Sequence, residues 1–493
     1  MTVRLFFLLL IGVLTFSKVY ADNITPIDPK TGKVLVPPED SILSEFENSS
    51  IPNPNPPPYT ILRYREHYSY LADPSNRTDF FDPIKYIPLS STDKESYLSF
   101  GGEIRERYED YRDEGFGTTH VKNNAYDLQK VELHSDLHVN ERLRVFVEGI
   151  SGAQYGGEGV KPSVDQDPID LEQAFIDYVM GDPTEDGNRV TMRGGRFQMS
   201  YGSGRLVATR AAPNIPFKFD GFQLIGSSQG DRKLYAFITR PDMEYTVHFD
   251  DTNLNQDFWG VYGSTPIGGP LNTSADLYYL GFRNDTALYA AGRGVEDRQT
   301  VGTRLYGKKN GWDYDLEPII QWGTFSSNDI LAWTSANTVG YTFVDIPWKP
   351  RTGINFDVAS GDHKNNTLET FNPLFFKAGY FNDASVLRPS NIIDVHPTIQ
   401  LEPCKRIDVT LGSDTVWRES KKDGIYSPSG SIELTPAPGS SYVGTTTEAA
   451  VEFQLDRHAS FTVSYVHMFT GSYVKSVHGS DVNYFGSWLT YTF

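Results

Sequence analysis

Six arginines of this chain lie at positions where a strand alternates polar and apolar side chains. Arg105 and Arg107 fall on the face of the stretch 97–108 opposite Leu98 and Ile104. The same spacing holds for Arg144, Arg193, Arg304 and Arg418. A guanidinium group is always charged and binds carboxylates in a fork of parallel hydrogen bonds. A row of such groups inside a pore lowers the barrier to anions.

The same arginines have a second interpretation that the sequence leaves open. Acidic residues with similar spacing, among them Glu103, Glu148, Glu317 and Asp414, could pair with them only to stabilise the protein. The whole chain carries a net charge of −19. Such acidity argues against nucleic acid as a partner, because phosphate binding needs a basic face.

Catalytic patterns are weak, and we predict that the protein is not an enzyme. Gly226–Gly230 matches G-x-S-x-G around Ser228, but the strand-like stretch Leu234–Thr239 follows where a nucleophile elbow requires a helix. His134 and His138 are more simply explained as polar lumen residues. An outer-membrane lipase or protease, and a soluble carbohydrate-binding sandwich, remain minor alternatives.

No cofactor is predicted, and a calcium ion in a loop is the one metal considered. Asp165–Asp167 and Asp182–Gly187 are acidic stretches, although neither has the spacing of an EF-hand. The single cysteine, Cys404, lies in an apparent turn and cannot form an intramolecular disulfide.

The elements that position these residues follow a period of two. In Arg142–Ile150 and in Glu448–Asp456, apolar and polar residues alternate, which predicts strands and not helices. Tight turns such as Asn310-Gly311 separate them, as in β-hairpins. The polar faces carry charges of both signs at mid-strand, which suits a water-filled lumen better than the outside of a sandwich.

The composition favours a transmembrane β-barrel. The chain has 29 Tyr, 30 Phe and 7 Trp beside 43 Gly, and a mean hydropathy of −0.41. Barrels place apolar residues toward lipid at alternate positions and aromatic girdles at both interfaces. The final strand-like stretch ends in the aromatic Phe493. That ending resembles the signal read by the barrel-assembly machinery, so we expect this machinery, outer-membrane lipid and lipopolysaccharide as partners.

The N-terminus predicts export. Leu5–Leu14 is an apolar run too short to span a bilayer as a helix, and Ala21 closes a small-x-small cleavage site. We therefore predict a signal peptide at 1–21 and a proline-rich periplasmic segment at 22–95. We predict that residues 96–493 form the barrel. At roughly 22 residues per strand and connection, this length predicts about 18 antiparallel strands (range about 16–20), with short periplasmic turns and longer extracellular loops.

Several motifs resemble the alginate-export family of outer-membrane proteins. They are Tyr97–Tyr108, Met192–Val207 followed by Phe219-Asp220-Gly221, Asn372–Phe381, and Trp417-Arg418 followed by Asp423–Tyr426. The resemblance runs from about residue 60 to the C-terminus and rests on the order and number of the pieces.

This resemblance implies an 18-stranded barrel whose arginine-rich constriction passes a polyuronate as an extended chain. In the matching motifs it adds pathway candidates beyond the strand arginines, namely Arg196, Arg205 and, as a gate or loop partner, Asp220. We expect an outer-membrane channel for an anionic polysaccharide such as alginate. The alternative is a general or substrate-selective porin for small solutes, including small anions.

Overall fold

The computed structural model describes residues 56–118, 121–181, 188–228, 231–364 and 366–493. The predicted signal peptide, residues 22–55 of the predicted periplasmic segment 22–95 and the acidic stretch Asp182–Gly187 lie outside these residues. No helix among the described residues is long and apolar enough to cross a membrane.

Eighteen antiparallel strands form one closed barrel across the described residues, which confirms the predicted fold and strand number. Closure comes from the first and last strands, which pair from Glu103–Thr492 to Arg112–Asn483. The strands are β1 (Tyr97–Arg112), β2 (Asn123–His138), β3 (Leu143–Gly156), β4 (Asp167–Met180), β5 (Arg189–Phe197), β6 (Phe219–Ser228), β7 (Arg232–Met243), β8 (Gln256–Gly268), β9 (Thr273–Tyr289), β10 (Gly292–Lys309), β11 (Trp312–Phe325), β12 (Asn328–Thr342), β13 (Arg351–Ala359), β14 (Ile392–Cys404), β15 (Ile407–Trp417), β16 (Tyr442–Gln454), β17 (Ala459–Thr470) and β18 (Val482–Thr492).

Alternation along each strand separates a lipid face from a lumen face. On β7, Leu234 and Ile238 are 54% and 67% exposed, whereas Tyr235 and Phe237 between them are buried inside the barrel. Leu277, Leu331 and other apolar side chains continue the exposed band around the outside. The period of two in the sequence is therefore the barrel's inside–outside pattern.

Both ends of the barrel chain lie at one rim, together with tight turns such as Asn310-Gly311. The three longest connections, 198–218, 360–391 and 418–441, lie at the opposite rim. Short turns face the periplasm in outer-membrane barrels and longer loops face outward. We call these rims the periplasmic end and the outer end.

Two of the long outer connections fold back into the barrel. The first lumen loop (198–218) and the second lumen loop (360–391) meet where Val207 pairs with Phe375 in a parallel bridge. Phe375 packs against Phe219 and Phe258, with ring centroids 4.9 Å away in both cases. Tyr262 on β8 stacks on Tyr278 on β9 at 5.1 Å. These contacts build an aromatic core that fills the lumen beside β6–β9.

The N-terminal segment (56–96) closes part of the periplasmic end. Its first part, which we call the strap (56–68), enters the lumen, where Leu62 and Tyr64 are buried. The remaining short elements are the helices α1 (Asp82–Lys85) and α2 (Ser472–Ser476), the 3-10 turns Arg63–Arg65, Ser69–Ala72, Pro74–Asn76 and Glu114–Gly117, and the short strands Ile87–Pro88, Asp251–Thr252, Thr367–Leu368, Ile425–Tyr426 and Ile432–Leu434.

We predict that Ile238→Arg destabilises the barrel by about 2–4 kcal/mol, because the charge would face lipid near the middle of β7. The matched variant Thr410→Arg places the same charge toward the polar lumen and should cost less than about 1 kcal/mol. Reversible unfolding in denaturant from lipid vesicles measures both. Equal costs for the two variants would contradict this assignment of faces.

Candidate functional site

A polar cavity of ≈ 500 Å³ occupies the side of the lumen away from the aromatic core. Its walls are β15–β18 and β1–β3, and the two lumen loops bound it through Ala208–Ala212 and Lys377–Gly379. The strap borders it at the periplasmic end. Because the aromatic core fills the opposite side, this eccentric cavity is the candidate route for a solute.

Basic side chains from six different parts of the chain line the polar cavity. They come from the strap, β1, β2, both lumen loops and the turn between β16 and β17. They are Arg65, Arg105, Arg107, Lys130, Arg210, Lys377 and Arg457. Arg105 and Arg107 are the two members of this set that belong to the predicted pathway residues.

Arg105 and Arg107 also hold the first lumen loop in place. Arg105 donates hydrogen bonds to the carbonyl oxygens of Ala211 at 2.6 Å and Pro213 at 2.7 Å. Arg107 pairs with Glu109 at 2.6 Å and lies over the ring of Trp488 at 4.5 Å. Arg105 therefore contributes positive charge to the cavity while its bonds fix the loop that narrows it.

Arg144 and Arg193 line a second space, a periplasmic recess of ≈ 480 Å³ beside β2–β7. Arg144 makes a bidentate pair with Asp136, at 2.6 and 2.7 Å. Arg193 does the same with Asp177, at 2.8 and 2.9 Å. The Arg193 guanidinium also lies against two aromatic rings, 4.0 Å from the centroid of Tyr64 and 3.9 Å from that of Phe175.

Arg205 and Arg304 meet in an ion-pair network between the first lumen loop and β9–β11. Arg304 binds Asp315 at 2.7 Å and Asp276 at 3.3 Å. Arg205 reaches Glu317 at 3.2 Å and Asp315 at 3.5 Å. This network attaches the loop to the wall opposite the polar cavity.

The other predicted residues lie at the outer end. Arg196 makes a bidentate pair with Asp220, at 2.8 and 2.9 Å. Arg418 directly follows β15 and donates to four carbonyl oxygens of the loop 418–441, including that of Ala437 at 2.9 Å. Its guanidinium lies 3.5 Å from the Tyr473 ring centroid. These contacts hold outer loops together.

The four acids that the sequence suggested as partners of the arginines differ in the contacts they make. Glu317 pairs with Arg205, and Glu103 pairs with Lys130 at 3.0 Å. Glu148 accepts a hydrogen bond from Gln173. Neither carboxylate oxygen of Asp414 makes a hydrogen bond among the described residues. Some of the predicted arginines therefore pair with acids, as the stabilising interpretation expects. Arg105 and Arg107 line the polar cavity, as the pathway interpretation expects.

Sequence reasoning missed five cations of this set, namely Arg65, Lys130, Arg210, Lys377 and Arg457. Lys130 lies on β2, whereas the other four do not belong to a strand, so no alternation marked those four as facing the lumen. Arg210 and Lys377 enter the lumen only because their loops fold inward. Their proximity to the motifs 192–207 and 372–381 was the one available signal.

The strap separates the polar cavity from the recess, and Arg65 lines both spaces. Arg63 fastens the strap to the barrel seam by donating to the carbonyl oxygens of Gly102 at 3.0 Å and Phe493 at 2.9 Å. The Tyr64 hydroxyl donates to the Gln198 carbonyl at 3.0 Å. The strap is thus in direct contact with the base of the first lumen loop.

No hydrolase arrangement forms among the described residues around Ser228. Ser228 and His138 both border the recess, but the hydrogen-bond partner of the His138 ring is Asp136 at 3.1 Å. His134 stacks on Phe146 at 5.3 Å. The two histidines are lumen residues in contact with their neighbours.

Comparisons with known proteins agree with this geometry. A family model described as alginate export matches residues 96–487. A BenF-like porin from Pseudomonas fluorescens is similar in structure at 8% identity, with a TM-score of 0.56 and coverage of 80% of this chain and 98% of that one. OccAB1 of Acinetobacter baumannii gives 10% identity, a TM-score of 0.56 and coverage of 84% and 99%.

OccK2 of Pseudomonas aeruginosa, solved in complex with glucuronate, is 9% identical with a TM-score of 0.52 and coverage of 80% and 97%. No curated protein matches the sequence. These likenesses give the fold, and together with the family match they place the chain in the outer membrane as a transport channel.

We predict that Tyr64→Ala loosens the strap, because it removes a buried ring packed at 5.3 Å on Phe175 and beneath the Arg193 guanidinium. Truncating a buried aromatic costs about 3–5 kcal/mol. Hydrogen exchange of residues 59–66 should accelerate accordingly, whereas the control Ile61→Ala removes a side chain that is 43% exposed and should change little. Unchanged exchange in Tyr64→Ala would contradict strap docking.

A second prediction concerns pH. Lys85 is 1% exposed, and burial, followed by the charge of Arg63, lowers its pKa to about 7. An unfolded lysine keeps its proton up to a pKa of about 10.4, so the folded segment binds fewer protons between these values. Its stability should therefore rise from about pH 7 to about pH 10.

Hydrogen exchange of residues 59–86 at the two pH values measures this rise. Lys85→Met should abolish the part of this pH-dependent rise in stability that comes from Lys85. Lys94→Met should keep it, because the Lys94 side chain is 71% exposed. An identical pH dependence in wild type and Lys85→Met would refute the assignment.

Proposed function

This chain belongs to the alginate-export family of outer-membrane proteins, and we propose that it passes uronate-bearing, anionic saccharides along the basic wall of the polar cavity. The observation that carries the proposal is the set of seven cationic side chains that converge on this one space. A uronate chain repeats a carboxylate at every sugar, and guanidinium and ammonium groups are the side chains that bind carboxylates.

The positions of these cations support transit more than static binding. Arg457 lies at the periplasmic end, Arg105 and Arg107 on β1, and Arg210 and Lys377 on the lumen loops. A carboxylate moving from the periplasm outward would meet a cation at each stage. Several weak sites in a row allow a solute both to enter and to leave.

Some of the positive charge is already balanced, which keeps each site weak. Lys130 lies 3.0 Å from both Glu103 and Glu132. Arg210 pairs with Glu244. A passing carboxylate would replace these glutamates at the cation. When it leaves, the internal ion pairs form again, so the solute is bound only weakly. The pore itself imposes no direction, and flux follows the gradient.

A porin for small solutes is the second candidate, and two observations favour it. The lumen loops narrow the described lumen to an eccentric space, which suits a small molecule better than a bulky chain. Asp408 and Glu452 also line the cavity on β15 and β16. Acidic and basic groups on one cavity would suit solutes that carry both charges.

Single-channel recording of the full barrel in planar bilayers tests the proposal. We predict anion selectivity and block by oligouronates, with block weakened about tenfold in the double variant Arg107→Gln, Lys377→Gln, the equivalent of one charge-assisted hydrogen bond. Arg283→Gln is the matched control, because this arginine forms an exposed pair with Asp285. Asp408→Asn with Glu452→Gln should shift selectivity further toward anions.

Chain length separates the two candidates. Block that strengthens from the monouronate to longer oligouronates would support saccharide passage. Block by monouronate alone, or equal permeation of neutral and zwitterionic solutes, would favour the small-solute porin. Cation selectivity, or indifference to every uronate, would contradict the proposed function.

A further inference from the structure

A group of five buried carboxylates lies at the outer end of β4–β7, outside the polar cavity. We call it the acidic cluster, and its members are Asp167, Asp170, Glu172, Asp242 and Asp250. Asp167, Asp170 and Asp250 are 1%, 2% and 5% exposed. So many acids in one dry place would repel one another strongly unless cations balance them.

Lys218, the last residue of the first lumen loop, balances part of this charge. Its Nζ lies 2.9 Å from Asp170 and 2.8 Å from Asp250. It lies farther from Asp242, at 3.3 Å, and from Glu172, at 3.4 Å. Arg196 approaches Asp170 only at 4.0 Å and makes its bidentate pair with Asp220. One lysine among five carboxylates leaves a large excess of negative charge.

Asp167 is the member that these cations do not reach. Neither of its oxygens makes a hydrogen bond among the described residues, although the side chain is almost fully buried. The backbone N–H of Ile169 approaches the Asp167 carboxylate. A buried carboxylate without a partner carries a high desolvation cost, so a ligand that supplies positive charge would gain most of its energy here.

The geometry points to a divalent cation, and we propose that Asp167, Asp170 and Asp250 bind Ca²⁺. One oxygen from each residue lies within 4.8 Å of the others. Ligands on opposite sides of a calcium ion, each at about 2.3–2.6 Å, span a comparable distance. Carboxylates are preferred calcium ligands, and each offers about four lone-pair sites, so contact with Lys218 does not exhaust Asp170 or Asp250.

The ion would join two parts of the chain, because Asp167 and Asp170 open β4 and Asp250 belongs to the connection between β7 and β8. Lys218, which ends the first lumen loop, contacts two of the same carboxylates, Asp170 and Asp250. Asp250 already binds the cluster, because its backbone N–H donates to Asp170 at 3.0 Å. Calcium would steady this junction and, through Lys218, the outer end of the loop that narrows the polar cavity.

Terbium luminescence of the refolded full-length barrel tests the site, since Tb³⁺ occupies calcium sites and is sensitised by nearby tyrosines. Tyr245 is close, as its backbone N–H donates to Asp250 at 2.6 Å. We expect one saturable Tb³⁺ site that Ca²⁺ displaces. Asp167→Asn and the loop variant Asp250→Asn should each weaken binding at least tenfold.

Asp394→Asn is the matched control, because Asp394 is 1% exposed and also has an oxygen without a hydrogen bond, yet lies outside the cluster. This variant should retain the terbium site. Absence of a saturable site in the wild type, or unchanged affinity in both cluster variants, would overturn the proposal.

Thermal unfolding gives a second measurement that does not depend on any variant folding. Ca²⁺ should raise the unfolding temperature of the wild type above its value in a chelator, and Mg²⁺ should do so less. In Asp167→Asn the effect of Ca²⁺ should be reduced. A wild-type unfolding temperature indifferent to Ca²⁺ would overturn the proposal.

Discussion

Water is absent from the bilayer core, so each backbone N–H and C=O of this chain must find a partner within the protein. The pairing of β1 with β18 meets that requirement by closing the sheet. Closure at 18 strands then creates a lumen wider than side chains alone can fill. The remaining architecture follows from how this wide lumen is occupied.

The lumen is filled unevenly, and the side that is left open is the candidate route for a solute. The lumen loops bring Val207 and Phe375 against the aromatic wall of β6–β9, where packing excludes solvent. On the other side, Arg105 holds the first lumen loop by its carbonyl groups and leaves a polar cavity behind it. The first lumen loop therefore packs into the aromatic core on one side and lines the polar cavity on the other.

The sequence predicted the barrel well because alternation is a local property. Residues such as Ile238 and Phe237 reveal opposite faces within a few positions. It could not predict which inward residues meet water, since Arg304 and Arg105 have the same strand pattern yet lie on opposite sides of the lumen. Phe375 and Lys377 belong to a loop, and only its inward fold places one in a core and the other on the cavity.

The most direct test of the eccentric route is thiol accessibility in a Cys404→Ser background. Thr462→Cys would line the polar cavity, and Thr300→Cys would lie buried against Gln321 on the packed side. During conduction, a negatively charged thiol reagent should reduce current through Thr462→Cys, and oligouronates should slow the reaction. Thr300→Cys should not respond. Modification of Thr300→Cys with no effect at Thr462→Cys would contradict the account.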